Sequence, residues 1–167
     1  MSKLTALALS IAVLGGVWAF LALNPLASVA LVWVGFIAWG CYFHTGGDNA
    51  ALQKTIAGMI FGAVMAGIAL YLVSSGMLGG LGALAAPVII AVTVFPLVAV
   101  AGCNLLSVVP ANVYGYAATA GLALTAGTAA NATAMDMSNP VLLVAVSTVL
   151  GAVFGMVSGK LAGALGK

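Results

Sequence analysis

The stretch LAAPVIIAVTVFPLVAVAGCNLLSVVPANVYGYAATAGLALTAGTAA, residues 84–130, decides how this chain is laid out. It is apolar almost throughout and more than twice as long as the about 20 residues that one helical crossing of a bilayer needs. Pro87, Pro96, Gly102, Asn104, Ser107 and Pro110 interrupt it. The simplest division is a span over 84–101, a break over 102–107 and a second span over 108–129. The alternative makes part of the stretch re-entrant and removes one crossing.

Working outward, Asn24-Pro25 closes an apolar run over 4–23, and His44-Thr45-Gly46-Gly47-Asp48-Asn49 closes a second over 26–43. A third, over 55–73, ends at Ser74-Ser75-Gly76, with Gly79-Gly80 extending the turn. The last, over 141–158, follows the polar stretch 131–140. The sequence therefore predicts an all-α integral membrane protein of about six transmembrane helices, or five plus a re-entrant segment, in a single transmembrane domain over residues 1–167.

Composition agrees: 65% of the 167 residues are hydrophobic and 4% are charged. A soluble domain carries about a quarter charged residues, so that class is excluded. A net charge of +2, scattered, provides no clustered basic surface for nucleic acid. The formal charges are Lys3, Asp48, Lys54, Asp136, Lys160 and Lys167, with no arginine and no glutamate. Six spans put every lysine on one side and Asp136 on the other, and the positive-inside rule then places both termini in the cytoplasm. Five spans would translocate Lys160 and Lys167. The run after Lys3 is longer than a signal-peptide core, and the chain stays hydrophobic after it, so it reads as a retained first span.

Cys41 and Cys103 have no CxxC or Cys/His spacing around them and read as buried small hydrophobes, with no metal and no cofactor expected. One histidine and two aspartates, none inside a span, cannot assemble a catalytic constellation within one chain, so no enzyme is expected. The same shortage disfavours a proton-driven pump, whose relays use intramembrane Asp, Glu or His.

The halves 1–80 and 81–167 resemble one another. A shift of 80 positions pairs Asn24 with Asn104, Gly35 with Gly115, Ala38 with Ala118 and Gly47 with Gly127. A longer shift pairs Gly62-Ala63-Val64-Met65-Ala66 with Gly151-Ala152-Val153-Phe154-Gly155. In a chain rich in Ala, Gly and Val such matches also arise by chance. A true repeat of three spans would invert its second copy, an architecture of transporters and channels.

Candidate site residues concentrate at the break. Asn104, Ser107, Pro110, Asn112, Tyr114, Tyr116 and Thr119 offer amides and hydroxyls beside Gly102 and Gly115, where broken helix is tolerated only inside protein or beside water. They read either as a neutral polar path or as loop satisfaction with interfacial tyrosines. Trp33, Trp39 and His44 form a secondary group, with Trp39, Tyr42 and Phe43 reading first as belt aromatics. His44 and Asp48 stand four apart, but Gly46-Gly47 argues against a continuous helix between them. Gly58 and Gly62, and Gly151, Gly155 and Gly159, form small-residue stripes for close helix packing, within the chain or between subunits.

Through Trp33-Val34-Gly35-Phe36-Ile37-Ala38-Trp39-Gly40-Cys41-Tyr42-Phe43, Gly46-Gly47 and Ser107-Val108-Val109-Pro110, the chain resembles the YcdZ-like small bacterial inner-membrane proteins. That resemblance implies a bacterial inner membrane and no particular activity. Over about 20 residues the chain is also distantly similar to one half of a urea transporter. Pro110 and Asn112 stand where that pore motif has its second proline and its asparagine, and Ala117-Ala118-Thr119-Ala120-Gly121 follows. Ser107, Val109 and Ala111 depart from it.

The resulting expectation is a homo-oligomeric channel or facilitator for a small neutral polar solute: a urea-like amide, ammonia or a short polyol. The alternative is a non-transporting scaffold or accessory subunit of a membrane complex.

Overall fold

The computed structural model describes residues 1–166. Lys167, one of the lysines counted for orientation, lies outside the described residues. Secondary structure among the described residues is helical throughout, with no strand.

Helix α1, Lys3–Leu23, starts where the Ser2 hydroxyl accepts the Thr5 N–H at 3.2 Å and ends where the Asn24 amide donates to the Phe20 carbonyl at 2.9 Å. Helix α2, Val32–His44, begins six residues later than the apolar run predicts, because residues 24–29 turn instead of coiling. It stops at Gly46 (φ 126°) and Gly47 (φ 71°), conformations that side-chain-bearing residues rarely adopt. The Tyr42 hydroxyl donates to the Gly47 carbonyl and holds that turn. Asp48 then accepts the Ala51 N–H at 2.7 Å and caps α3, Asn49–Ser74.

Helix α4, Ala85–Ala99, is followed by short helical turns at Val100–Gly102 and Asn104–Leu106. Helix α5, Val109–Thr125, carries Pro110 in its first turn, where a missing N–H costs nothing. Asn139 caps α6, Pro140–Leu165, by accepting the Val141 N–H at 2.8 Å, and donates back to the Ala132 and Ala134 carbonyls. In the loop before α6, hydrogen bonds from the Ser138 side chain and backbone hold the Asp136 carboxyl below its usual range.

Four segments are long and apolar enough to cross a membrane: Lys3–Leu23, Asn49–Ser74, Gly79–Gly102 and Pro140–Leu165. The other two helices are shorter. At 1.5 Å per residue α2 is about 20 Å long and α5 about 25 Å, against about 30 Å of hydrocarbon.

The chain forms two compact units. Unit 1 contains Met1–Ile56 with the stretch from Val146, and unit 2 contains Ala57–Ala145. In unit 1 the buried Trp18, Ala22, Ala30 and Trp39 form a core with Leu150 and Phe154 packed against it. Trp18 lies over Gly35 and donates to the Val32 carbonyl at 3.0 Å. Trp39 donates to the Ser158 hydroxyl at 3.0 Å, and Ser158 donates to the Gly155 carbonyl. The Gly151 backbone lies directly on that of Gly35, and Ser147 accepts the Leu31 N–H at 2.8 Å. Close approach of this kind replaces the hydrophobic effect as the packing force between helices in lipid.

Two expectations are corrected here. Trp39 and Tyr42 are core residues, 3% and 2% exposed, and not belt aromatics. Cys41 is buried as expected, whereas Cys103 is exposed in the break after α4.

Candidate functional site

Unit 2 is organised around Asn112, in the first turns of α5. Its side chain is wholly buried, and its Nδ2 donates to the Leu97 carbonyl at 3.0 Å and the Leu106 carbonyl at 3.1 Å. Both acceptors exist because helix is interrupted. The Leu97 carbonyl belongs to the last turn of α4, where no following N–H completes the ladder, and the Leu106 carbonyl belongs to the turn before α5. One amide thus ties the end of α4, the break and the start of α5 together. Its Oδ1 has no hydrogen-bond partner.

Gly58, Gly62 and Gly115 let α3 and α5 approach at backbone distance. A Cβ at Gly62 would overlap the Asn112 carbonyl oxygen, one at Gly115 would overlap the Met59 carbonyl oxygen, and one at Gly58 would stand 2.8 Å from Asn112 Oδ1. Thr119, two turns beyond Asn112, is wholly buried, and its hydroxyl has no partner either. Tyr116 donates to Thr93 Oγ1 at 2.9 Å, since the Thr93 proton is already given to the Ile89 carbonyl. That bond fixes α5 against α4.

A profile of the DUF1097 family, described as proteins of unknown function, matches residues 8–163 and takes in most or all of every helix just described. The chain belongs to the DUF1097 family. No curated protein and no solved structure matches it.

The remaining sequence candidates of this DUF1097 chain serve the backbone, stand at half-buried or exposed positions, or belong to unit 1. Asn104 is exposed, and its carbonyl accepts the Ser107 hydroxyl at 2.8 Å, so it does not join Asn112 as a second buried amide. Pro110 and Tyr114 are half-buried. Trp33 is exposed, as is His44 at the end of α2, while Trp39 is bound to Ser158. Gly155 and Gly159 lie against Trp39, Tyr42 and Phe43 in unit 1. No three His, Cys, Asp or Glu side chains come together among the described residues.

Sequence reading missed Thr93 and the Leu97 and Leu106 carbonyls. Thr93 had one signal, a hydroxyl one turn before Pro96 in an otherwise apolar run. The carbonyls had none, because every residue carries one. Thr148 is likewise buried, in unit 1, with an unpartnered hydroxyl.

Proposed function

We propose that this chain is a facilitator for a small neutral polar solute, built as an inverted repeat of three plus three helices. The observation that carries the reading is the unpartnered Oδ1 of the wholly buried Asn112. Leaving a buried acceptor unpaired costs about 1–3 kcal/mol, which a bound solute or water would recover. Thr119 adds a second such atom on the same face of α5.

The repeat is supported by contacts inside each unit. A shift of 80 equates Leu31 with Ala111 and Gly35 with Gly115, and a shift of 89 equates Gly58 with Ser147 and Gly62 with Gly151. In unit 1 Ser147 meets Leu31 and Gly151 meets Gly35; in unit 2 Gly58 meets Ala111 and Gly62 meets Asn112 and Tyr116. The middle helix of each repeat crosses the third helix of the other: Ser147 on Leu31 matches Gly58 on Ala111, while Gly62 falls on Asn112 and Tyr116, which flank Gly115. Both middle helices, α2 and α5, lie outside the four segments long and apolar enough to cross, and unusually short segments at corresponding positions of two halves are a pointer to a transport site. The pore-motif likeness around Pro110 and Asn112 points the same way.

No carboxylate stands within a helix among the described residues, which suits passive movement and neither proton coupling nor catalysis. The reading includes a bacterial inner membrane, a homo-oligomer and cytoplasmic termini. The rival, a non-transporting accessory subunit, is favoured by the bridging of two carbonyls by Asn112, which serves the fold whether or not anything passes. Osmotic swelling of proteoliposomes, measured with the detergent melting temperature for wild type and Asn112→Leu, separates them. A facilitator loses flux per folded protein in the variant. A scaffold shows no protein-dependent flux and loses only stability.

A further inference from the structure

The two helix crossings differ at matched positions. Under the shift of 80, Trp39 corresponds to Thr119 and Trp18 to Val98; under the shift of 89, Phe154 corresponds to Met65. In unit 1 the Trp18, Trp39 and Phe154 rings pack on one another, with centroids 5.5 and 5.9 Å apart, and both indole N–H groups are used. In unit 2 Thr119 stands where unit 1 has Trp39, and its hydroxyl is unpartnered.

That hydroxyl shares its lack of a partner only with Thr148 of unit 1 among the buried hydroxyls of the described residues. A helical Thr or Ser normally turns back on the carbonyl four residues earlier. Thr93 does so to Ile89 at 2.9 Å, Thr125 to Gly121 at 2.7 Å and Ser10 to Ala6 at 2.8 Å, while Thr119 makes no such bond. Seven residues separate it from Asn112. The two side chains therefore share one face of α5, about 10 Å apart along the axis. The orientation of the Asn112 amide is fixed by chemistry, because two carbonyls can be satisfied only by its NH2 end. What it leaves free is an acceptor.

We infer that Asn112 Oδ1 and Thr119 Oγ1 are two successive binding positions on one face of α5, confined to unit 2, for a small uncharged molecule that donates hydrogen bonds through N–H or O–H. The inference rests on the facilitator reading and narrows it. An acceptor-only molecule leaves Oδ1 as unpaired as before and gains nothing by entering.

The test uses the full chain in proteoliposomes. Swelling is driven by urea or by dimethyl sulfoxide, an acceptor-only solute with the same number of heavy atoms, and each rate is corrected for protein-free vesicles and for the folded fraction. The variants are Thr119→Val, which keeps the side-chain shape, and Thr148→Val, which removes the unpartnered hydroxyl of unit 1. We expect protein-dependent urea flux well above that of dimethyl sulfoxide. Thr119→Val should lower urea flux roughly three- to tenfold, the worth of one hydrogen bond. Its melting temperature should not fall, and Thr148→Val should leave flux unchanged. Equal flux of the two solutes, or urea flux unchanged in Thr119→Val, would overturn the donor-selective site while leaving a facilitator. An equal loss in Thr148→Val would overturn its confinement to unit 2. Absence of protein-dependent flux for both solutes would overturn the facilitator reading and this site with it.

Discussion

The carbonyl oxygen of Asn112 stands where a side chain on Gly62 would have to go. The α3–α5 crossing is thus set by backbone meeting backbone, and a single methyl group must push the helices apart. Gly62→Ala should lower stability by about 1–3 kcal/mol, the usual cost of overpacking. Gly121→Ala, on the same helix as Asn112 but with nothing within 4 Å of its added Cβ, should be neutral or gain about 0.5–1 kcal/mol. Equal melting temperatures for the two variants would contradict the crossing.

Trp39 and Trp33 lie six residues apart on α2 and should behave oppositely. Trp39→Phe removes a buried donor from Ser158, which keeps its own bond to Gly155, and should cost about 1–2 kcal/mol. Trp33→Phe, at a 43% exposed position, should stay within about 0.5 kcal/mol of wild type. Detergent denaturation of both variants checks the ordering.

Much of the layout is legible in the sequence because the punctuation is local. Asn24, Gly46-Gly47, Gly76 and the break over 102–107 end helices through their own backbone or side-chain chemistry, and helix ends fall there. The late start of α2 is not legible. Residues 26–31 are apolar like a helix, yet the Leu31 N–H is taken by Ser147, remote in sequence. Nor is the burial of Trp39 and Tyr42. In a bilayer the outward face of a helix is as apolar as the inward one, so hydropathy loses the periodicity that marks a core in water. Asn112 is legible as a polar residue at a break, but its partners are carbonyls that any residue would supply.

The two cysteines offer a chemical check on the break after α4. Cys103 is exposed, whereas Cys41 is buried with the Thr55 hydroxyl donating to its sulfur at 3.7 Å. In detergent a maleimide should modify Cys103 rapidly and Cys41 only on unfolding. Cys103→Ser should abolish native-state labelling. Comparable native labelling of Cys41 would mean that the packing around α2 is looser than described.

Sidedness follows from the proposed inverted repeat. If all six helices cross, short α2 and α5 included, the termini share one side and the loop carrying Asp136 and Ser138 lies on the other. The lysines then sit with the termini, in the cytoplasm. Reporter fusions after Lys3 and after Lys167 should both report cytoplasmic. A single cysteine at Ser138, in a chain with Cys41 and Cys103 replaced by serine, should react with a membrane-impermeant reagent added from outside. The two readouts fail in different ways. Termini on opposite sides would mean that an odd number of helices cross, so either α2 or α5 enters and leaves by one face. Termini together with Ser138 protected from outside would leave the parity even but put the loop on the cytoplasmic side, and would break the equivalence of the two halves on which the repeat rests.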